Sequence, residues 1–357
     1  MTSPELEVSG NFHGCGHAHE HQRVRKAGHS LVVDIHCHYA VGAADAHLRE
    51  VMAEAPPAMP FTSVASQKVN VAQFAAIGPR LHGVRERLED MDRFGVDVQA
   101  ISPSPGQYFY FAEAELGRDL SQIINDGIAD AVATHPDRFV GIGHVPLQNT
   151  EMAIAEMRRC VKDLGFRGVE INSNVNGLEL ADPSFRPFFA AAEELGMLVF
   201  MHPLGFTHGE RLTEYYLNNI IGNPLEATIA LSHLIFGGVL DTYPGLKLCI
   251  AHGGGYMPAY WGRMDHAWRV RPECREHTAH PPSYYMRQIW VDTLVFDREQ
   301  LNALVHVHGA DRLCLGTDYP FDMSEPDPVG FHAALDPSVR EKILGLNAAG
   351  LLGLVVE

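Results

Sequence analysis

The chain of 357 residues predicts an α/β fold, a (β/α)8 TIM barrel with an insertion after its first strand. Three observations carry the expectation. Eight short apolar runs recur along the sequence, segments of helical spacing separate them, and several of the runs end in histidine or aspartate. Continuous apolar runs suit strands buried on both faces, as in a parallel sheet covered by helices. A doubly wound sheet would need a glycine-rich phosphate loop after the first strand, and HCHYAVGAAD at 36–45 does not supply one.

Residues 1–30 are polar and carry His13, Cys15, His17, His19, His21 and His29 at spacings that fit no zinc module. They read as a His-rich N-terminal arm without the apolar stretch of a signal peptide. Residues 31–357 read as one barrel domain. Its first strand lies near 31–36. The segment 40–83, rich in Ala, Pro and Gly, reads as an excursion over the mouth of the site. From Val84 the chain becomes regular. Helices are predicted over 84–94, 116–135, 151–164, 183–195, 224–236, 257–269 and 297–308, and strands near 96–102, 139–145, 168–172, 197–202, 246–252, 288–292 and 312–316. Gly95 and Gly165 close two of the helices, and Asp182-Pro183 opens another.

Composition narrows the class of function. Hydrophobic residues make up 46% and charged residues 20%, ordinary for a globular enzyme. A net charge of −17 without a basic stripe argues against nucleic acid as a partner. The six cysteines are scattered, which points to a reduced, cytoplasmic compartment. No apolar stretch approaches the ~20 residues that span a bilayer.

A barrel places its active site at the C-terminal ends of its strands. Strand one ends in His36-Cys37-His38, strand five in His202, strand six in His252 and strand eight in Asp318. Residues i and i+2 of a strand share a face, so His36 and His38 project together. His36, His38, His202 and Asp318 form an N3O set with room for a further ligand, as catalytic zinc requires, and the donors also suit Mn²⁺ or Fe²⁺. His252 is placed beside the metal as acid/base. Strand four holds Glu170 and Asn172 but no lysine, which favours one metal per subunit. Either residue lines the pocket or serves a plain hydrogen-bonding role.

DIHCH, MHP, AHGGG, the Gly262-Arg263 pair and GTDYPF, in this order and spacing, resemble the amidohydrolase superfamily. In particular they resemble its metal-dependent decarboxylase branch, typified by 2-amino-3-carboxymuconate 6-semialdehyde decarboxylase. The similarity runs from about Val32 to the C-terminus and is close over 223–255. It implies Zn²⁺ on His36, His38, His202 and Asp318, with a metal-bound water activated between His252 and Asp318. It also implies a homodimer in which Arg263 reaches a carboxylate in the neighbouring site. Two departures mark this chain. A second substrate-binding arginine expected before the first regular helix is replaced near Phe74, with Arg80 the closest substitute. The aromatic expected directly after His-Pro is displaced, leaving Phe206 after Leu204-Gly205.

The expected activity is non-oxidative decarboxylation of an aromatic or unsaturated, muconate-type carboxylic acid. The alternatives are hydrolysis of a lactone, amide or C–C bond, or hydration, at the same mononuclear site. A metal-storing scaffold without catalysis is the reading from another class.

Overall fold

The computed structural model describes residues 30–52 and 54–354, together with a backbone pairing of Glu5–Leu6 with Val24–Arg25. The histidines of the N-terminal arm lie outside the described residues. Eight parallel strands run in sequence order around a barrel: β1 (Val33–Tyr39), β2 (Val98–Pro103), β3 (Phe139–His144), β4 (Gly168–Ile171), β5 (Leu198–Met201), β6 (Lys247–Ile250), β7 (Trp290–Asp292) and β8 (Leu313–Cys314). The barrel closes between β1 and the segment after β8. Ile35 N donates to Leu315 O at 2.9 Å, and His38 N donates to Tyr319 O at 2.8 Å.

Two cores follow from strand alternation. Val33, Ile35, Val98, Ala100, Ile142 and Phe200 belong to the set that fills the lower barrel. Val32, Ile101, Val169, Ile171, Val199 and Val291 face the helical layer. One strand breaks the rule where the site needs it. The β1–β2 register shifts between Asp34 and Cys37. Val33 and Ile35 therefore face inward, while Cys37 joins the outer core. Such a bulge re-aims side chains. Here it turns His36 and His38 toward the barrel axis.

The α-helices of the described residues are α1 (Gly42–Val51), α2 (Val64–Leu81), α3 (Arg85–Phe94), α4 (Ala114–Thr134), α5 (Thr150–Lys162), α6 (Arg186–Leu195), α7 (Asn223–Phe236), α8 (Val239–Thr242), α9 (Met257–Val270), α10 (Pro282–Tyr285), α11 (Arg298–His308), α12 (Pro328–Phe331), α13 (Pro337–Glu341) and α14 (Asn347–Leu352). Local chemistry sets their ends. Asn149 caps α5 through Met152 N, and Asp297 caps α11 through Glu299 N and Gln300 N. Gly95 ends α3 at φ 71°. The excursion 40–83 holds two helices, α1 and α2, and residues from both line the cavity above the barrel. Among the described residues no helix is long and apolar enough to cross a membrane.

Candidate active site

The strand ends converge. Single ligand atoms of His36, His202, His252 and Asp318 all lie within 4.8 Å of one another. His38 joins them through Nε2, which is 3.2 Å from His36 Nε2 and 3.1 Å from Asp318 Oδ1.

The partners of each ring decide which nitrogen faces the centre. His36 Nδ1 pairs with Asp292 Oδ2 at 2.6 Å, and His38 Nδ1 with Pro103 O at 3.0 Å. Both partners are acceptors, so both Nδ1 atoms carry the proton. Two Nε2 lone pairs then face each other and a carboxylate oxygen, an arrangement that repels unless a cation sits among them. Both ring nitrogens of His202, Nδ1 of His252 and Oδ1 of Asp318 are buried without a hydrogen-bond partner. Orphaned ligand atoms at one point are what a divalent cation would satisfy.

Electrostatics agrees. Burial pushes the His36 pKa down, but the charge of Asp318 and the bonds to Asp292 and Asp318 outweigh it and raise it to about 10. The pocket is thus a place that holds positive charge. Burial, reinforced by the neighbouring imidazoles, keeps His202 well below its ordinary value and hence neutral. Burial raises the Asp318 carboxyl, yet His36, His252 and His38 together hold it well below the usual range.

The backbone is strained at two of these residues. His252 has φ 56° and Asp318 φ 62°, left-handed values that cost a non-glycine residue on the order of 1 kcal/mol. Hydrogen bonds fix both: His252 N donates to Asp292 Oδ2 at 3.0 Å, and Asp318 N to His36 O at 2.8 Å. Gly316 lets β1 and β7 approach, since a Cβ there would stand 2.8 Å from His36 Cβ and 2.7 Å from Asp292 Cβ. Gly253, Gly254 and Gly255 all adopt positive φ, so the turn itself demands glycine there.

Two supports of the site went unnoticed in the sequence. Asp292 ends β7 and binds four donors: His36 Nδ1, His252 N, Gly253 N and Leu294 N. Inspecting the seventh strand end as the others were inspected would have found it. Arg87 on α3 is fully buried. It donates to Gln99 Oε1 at 2.9 Å, to Arg80 O at 3.0 Å and to His38 O, and it lies 4.8 Å over the Tyr319 ring. No sequence signal separates it from the surface arginines of that helix.

The other sequence-predicted residues are placed variously. Glu170 is buried behind His38, with Oε2 at 3.9 Å from His38 Nδ1 and Oε1 accepting from Tyr108 OH at 2.6 Å. Asn172 turns its Oδ1 to Ser173 N at 2.8 Å. The Arg80 side chain pairs with Asp90 at 2.6 Å and does not line the cavities described next. Nor does Phe206, whose neighbours Leu204 and Gly205 do. Arg263 is exposed on α9 and makes no ion pair among the described residues.

Two cavities, of about 400 Å³ and 530 Å³, meet at Asn219, Asn223, Asp318 and Met323. His202 borders the first and His252 the second, so the cluster sits at their junction.

The family model described as Amidohydrolase matches residues 33–354. The chain belongs to this amidohydrolase family. It is 41% identical to the 2-amino-3-carboxymuconate-6-semialdehyde decarboxylase of Dictyostelium discoideum, over 75% of this chain and 76% of that protein. It is 30% identical to a gamma-resorcylate decarboxylase of Rhodococcus jostii, over 75% of this chain and 87% of the other. The 5-carboxyvanillate decarboxylase of Novosphingobium aromaticivorans, solved with manganese and 4-hydroxy-3-methoxy-5-nitrobenzoic acid, superposes with a TM-score of 0.80 at 25% identity, covering 94% of this chain and 99% of that one. The amidohydrolase barrel expected from the sequence is therefore the fold observed, and the chain is an enzyme of the metal-dependent decarboxylase branch. Its site is built for a divalent metal.

Proposed function

We propose that this enzyme removes CO₂ non-oxidatively from an aromatic or unsaturated carboxylic acid. In this reading His36, His38, His202 and Asp318 hold one divalent cation and His252 is the acid/base. The observation that carries it is the convergence of His36, His202, His252 and Asp318, joined by His38, at a point where both ring nitrogens of His202 and Oδ1 of Asp318 have no hydrogen-bond partner. When bound, the cation supplies Lewis acidity and positive charge for the substrate carboxylate and a neighbouring oxygen. The N3O set suits zinc, and the same donors serve manganese.

The chain's own residues supply the rest. His252 lines the second cavity, with Nε2 at 3.8 Å from Asp318 Oδ2. Protonated, it gives its proton to the carbon that bears the carboxylate. The C–C bond to the carboxylate then breaks, its electron pair returns to the unsaturated system, and CO₂ leaves. His252 recovers a proton from solvent. Asp292 steadies both His36 and the His252 backbone while this happens. Arg263, exposed and unpaired among the described residues, fits a role in trans: in a homodimer it would hold the reacting carboxylate of the neighbouring site through its fork of donors. Residues 1–30 lie outside the family match and read as an arm on the catalytic barrel of 31–357. Free cysteines at Cys37, Cys160, Cys249, Cys274 and Cys314 support a cytoplasmic setting. The relatives named above are decarboxylases, so hydrolysis or hydration is not favoured.

The test is His252→Ala beside His36→Ala. His252→Ala is expected to keep stoichiometric metal and to lose about 10²–10⁴-fold in CO₂ release. His36→Ala is expected to lose the metal itself. A His252→Ala enzyme that stays active, or that loses its metal, would contradict the assigned role.

A further inference from the structure

The first cavity has a ring slot and a far wall, and the far wall carries no cation. Phe321 lies 5.5 Å from the His38 ring and 6.1 Å from Phe74, centroid to centroid, so an apolar planar slot opens beside the cluster. Asp45, Asn70, Gln73, His82 and Gln107 are among the polar residues that line the rest of the cavity. Neither cavity is lined by lysine or arginine among the described residues. Arg49, one turn beyond Asp45 on α1, is exposed and outside the lining.

Asp45 is the distinctive group. Its Oδ2 accepts from Gln107 Nε2 at 2.9 Å, and Gln107 is itself tied to Val41 O at 3.0 Å and to Val41 N at 3.0 Å. Asp45 is therefore held in place, while its Oδ1 has no hydrogen-bond partner among the described residues. Gln73 Nε2 is buried and unpartnered. His82 Nδ1 is occupied by Ala40 O at 2.8 Å, which leaves Nε2 free as an acceptor. The wall thus offers a fixed carboxylate oxygen and an imidazole acceptor to a hydrogen-bond donor. Gln73 Nε2 can donate to the oxygen of a hydroxyl that itself donates to Asp45. A second negative charge meets repulsion from the Asp45 carboxylate with no lysine or arginine in the lining to offset it, and burying an unpaired charge is strongly unfavourable.

We propose that Asp45, supported by His82 and Gln73, is the specificity determinant for the non-reacting end of the substrate: it selects a ring hydroxyl or amino donor and rejects a second carboxylate. The inference rests on the decarboxylase reading, in which the cation and Arg263 of a second copy are both taken up by the carboxylate that leaves. Among the described residues no lysine or arginine lines the cavity to receive another.

The test compares acids that differ only in one ring substituent: 3-hydroxybenzoate and 3-aminobenzoate against isophthalate, and 4-hydroxybenzoate against terephthalate. Binding to the metal-loaded full-length enzyme is measured by calorimetry, and CO₂ release is followed in parallel. The hydroxy and amino acids are expected to bind at least about 10-fold more tightly than the diacids. Asp45→Ala should lose about 10- to 100-fold for the donor-bearing acids, the range for a hydrogen bond to a charged acceptor, and little for unsubstituted benzoate. Gln73→Arg should raise diacid binding and close the gap. Equal or tighter binding of the diacids by the unaltered enzyme, or an Asp45→Ala variant with the preference intact, overturns the proposal. So does an Arg263→Ala variant that weakens diacid binding clearly more than benzoate binding, because Arg263 would then read the second carboxylate. If no acid releases CO₂, the decarboxylase reading falls, while the binding comparison still decides what the wall selects.

Discussion

Asp292→Asn keeps the shape of the side chain and removes its charge. Oδ2 of Asp292 accepts from His36 Nδ1 at 2.6 Å and His252 N at 3.0 Å, and Oδ1 from Gly253 N at 2.8 Å and Leu294 N at 3.1 Å. Each oxygen thus faces two donors. An amide has one oxygen and one NH₂, so whichever way it turns, two donors meet another donor. Losing two charge-assisted bonds at about 1.5–3 kcal/mol each removes about 3–6 kcal/mol of stability. That leaves a protein of ordinary stability, about 5–15 kcal/mol, folded but weakened. With its tautomer no longer fixed, His36 should also bind metal worse, and loss of such an orienting partner costs about 10–100-fold in affinity. Urea unfolding of the chelator-treated protein reads the first effect, and calorimetric titration with zinc or manganese reads the second. A variant within about 1 kcal/mol of the parent in stability and within about threefold in metal affinity would refute the role given to Asp292.

Two further outcomes are expected. Arg87→Met keeps the apolar stem but leaves His38 O, Arg80 O and Gln99 Oε1 without their donor. It should cost about 3–6 kcal/mol by urea unfolding and weaken metal binding through His38, and unchanged stability would speak against it. Acid should destabilise the metal-free protein through three buried histidines. Burial holds His144 at a pKa of about 3 and His308 and His332 at about 4, against an ordinary value of 6.5. Their folded pKa values are depressed, so the unfolded chain binds more protons below that value. Their contribution is full above about pH 6.5 and is lost toward pH 4, by up to about 4 kcal/mol per pH unit when all three contribute. Unfolding free energies that stay flat from pH 7 to pH 5 would contradict this.

The barrel was legible because buried parallel strands announce themselves as short apolar runs. Each of the eight strands forms within a few residues of its predicted place, from Val33–Tyr39 to Leu313–Cys314. The histidines and aspartate at four strand ends were legible for the same reason: once the strand is placed, the residues at or just beyond its C-terminal end are placed, as His202, His252 and Asp318 follow β5, β6 and β8. What pattern could not supply was the β1 bulge. Simple alternation puts Val33, Ile35 and Cys37 on one face, whereas the structure separates Cys37 from the other two and turns His36 and His38 inward. Helix α2 was hidden in the excursion because Gly78 and Pro79 lie within it and several of its apolar residues, Val64, Val71 and Phe74 among them, are exposed and trace no buried stripe. Arg80 could not be told from a cavity residue, since its partner Asp90 comes from the next helix. The apolar face that replaces an expected arginine, Phe74 against Phe321, depends on two segments far apart in sequence.

The central claim is that a single divalent cation, held by His36, His38, His202 and Asp318, is required for release of CO₂ from an aromatic or unsaturated acid. Its most direct test is metal content per subunit measured with CO₂ evolution from a panel of carboxyl-labelled acids, before chelation, after chelation and after zinc or manganese is returned. The account predicts one metal per chain, labelled CO₂ from at least one acid, its loss on chelation and its return with metal. Stoichiometric metal without CO₂ from any acid, or CO₂ release that survives complete removal of the metal, would contradict it.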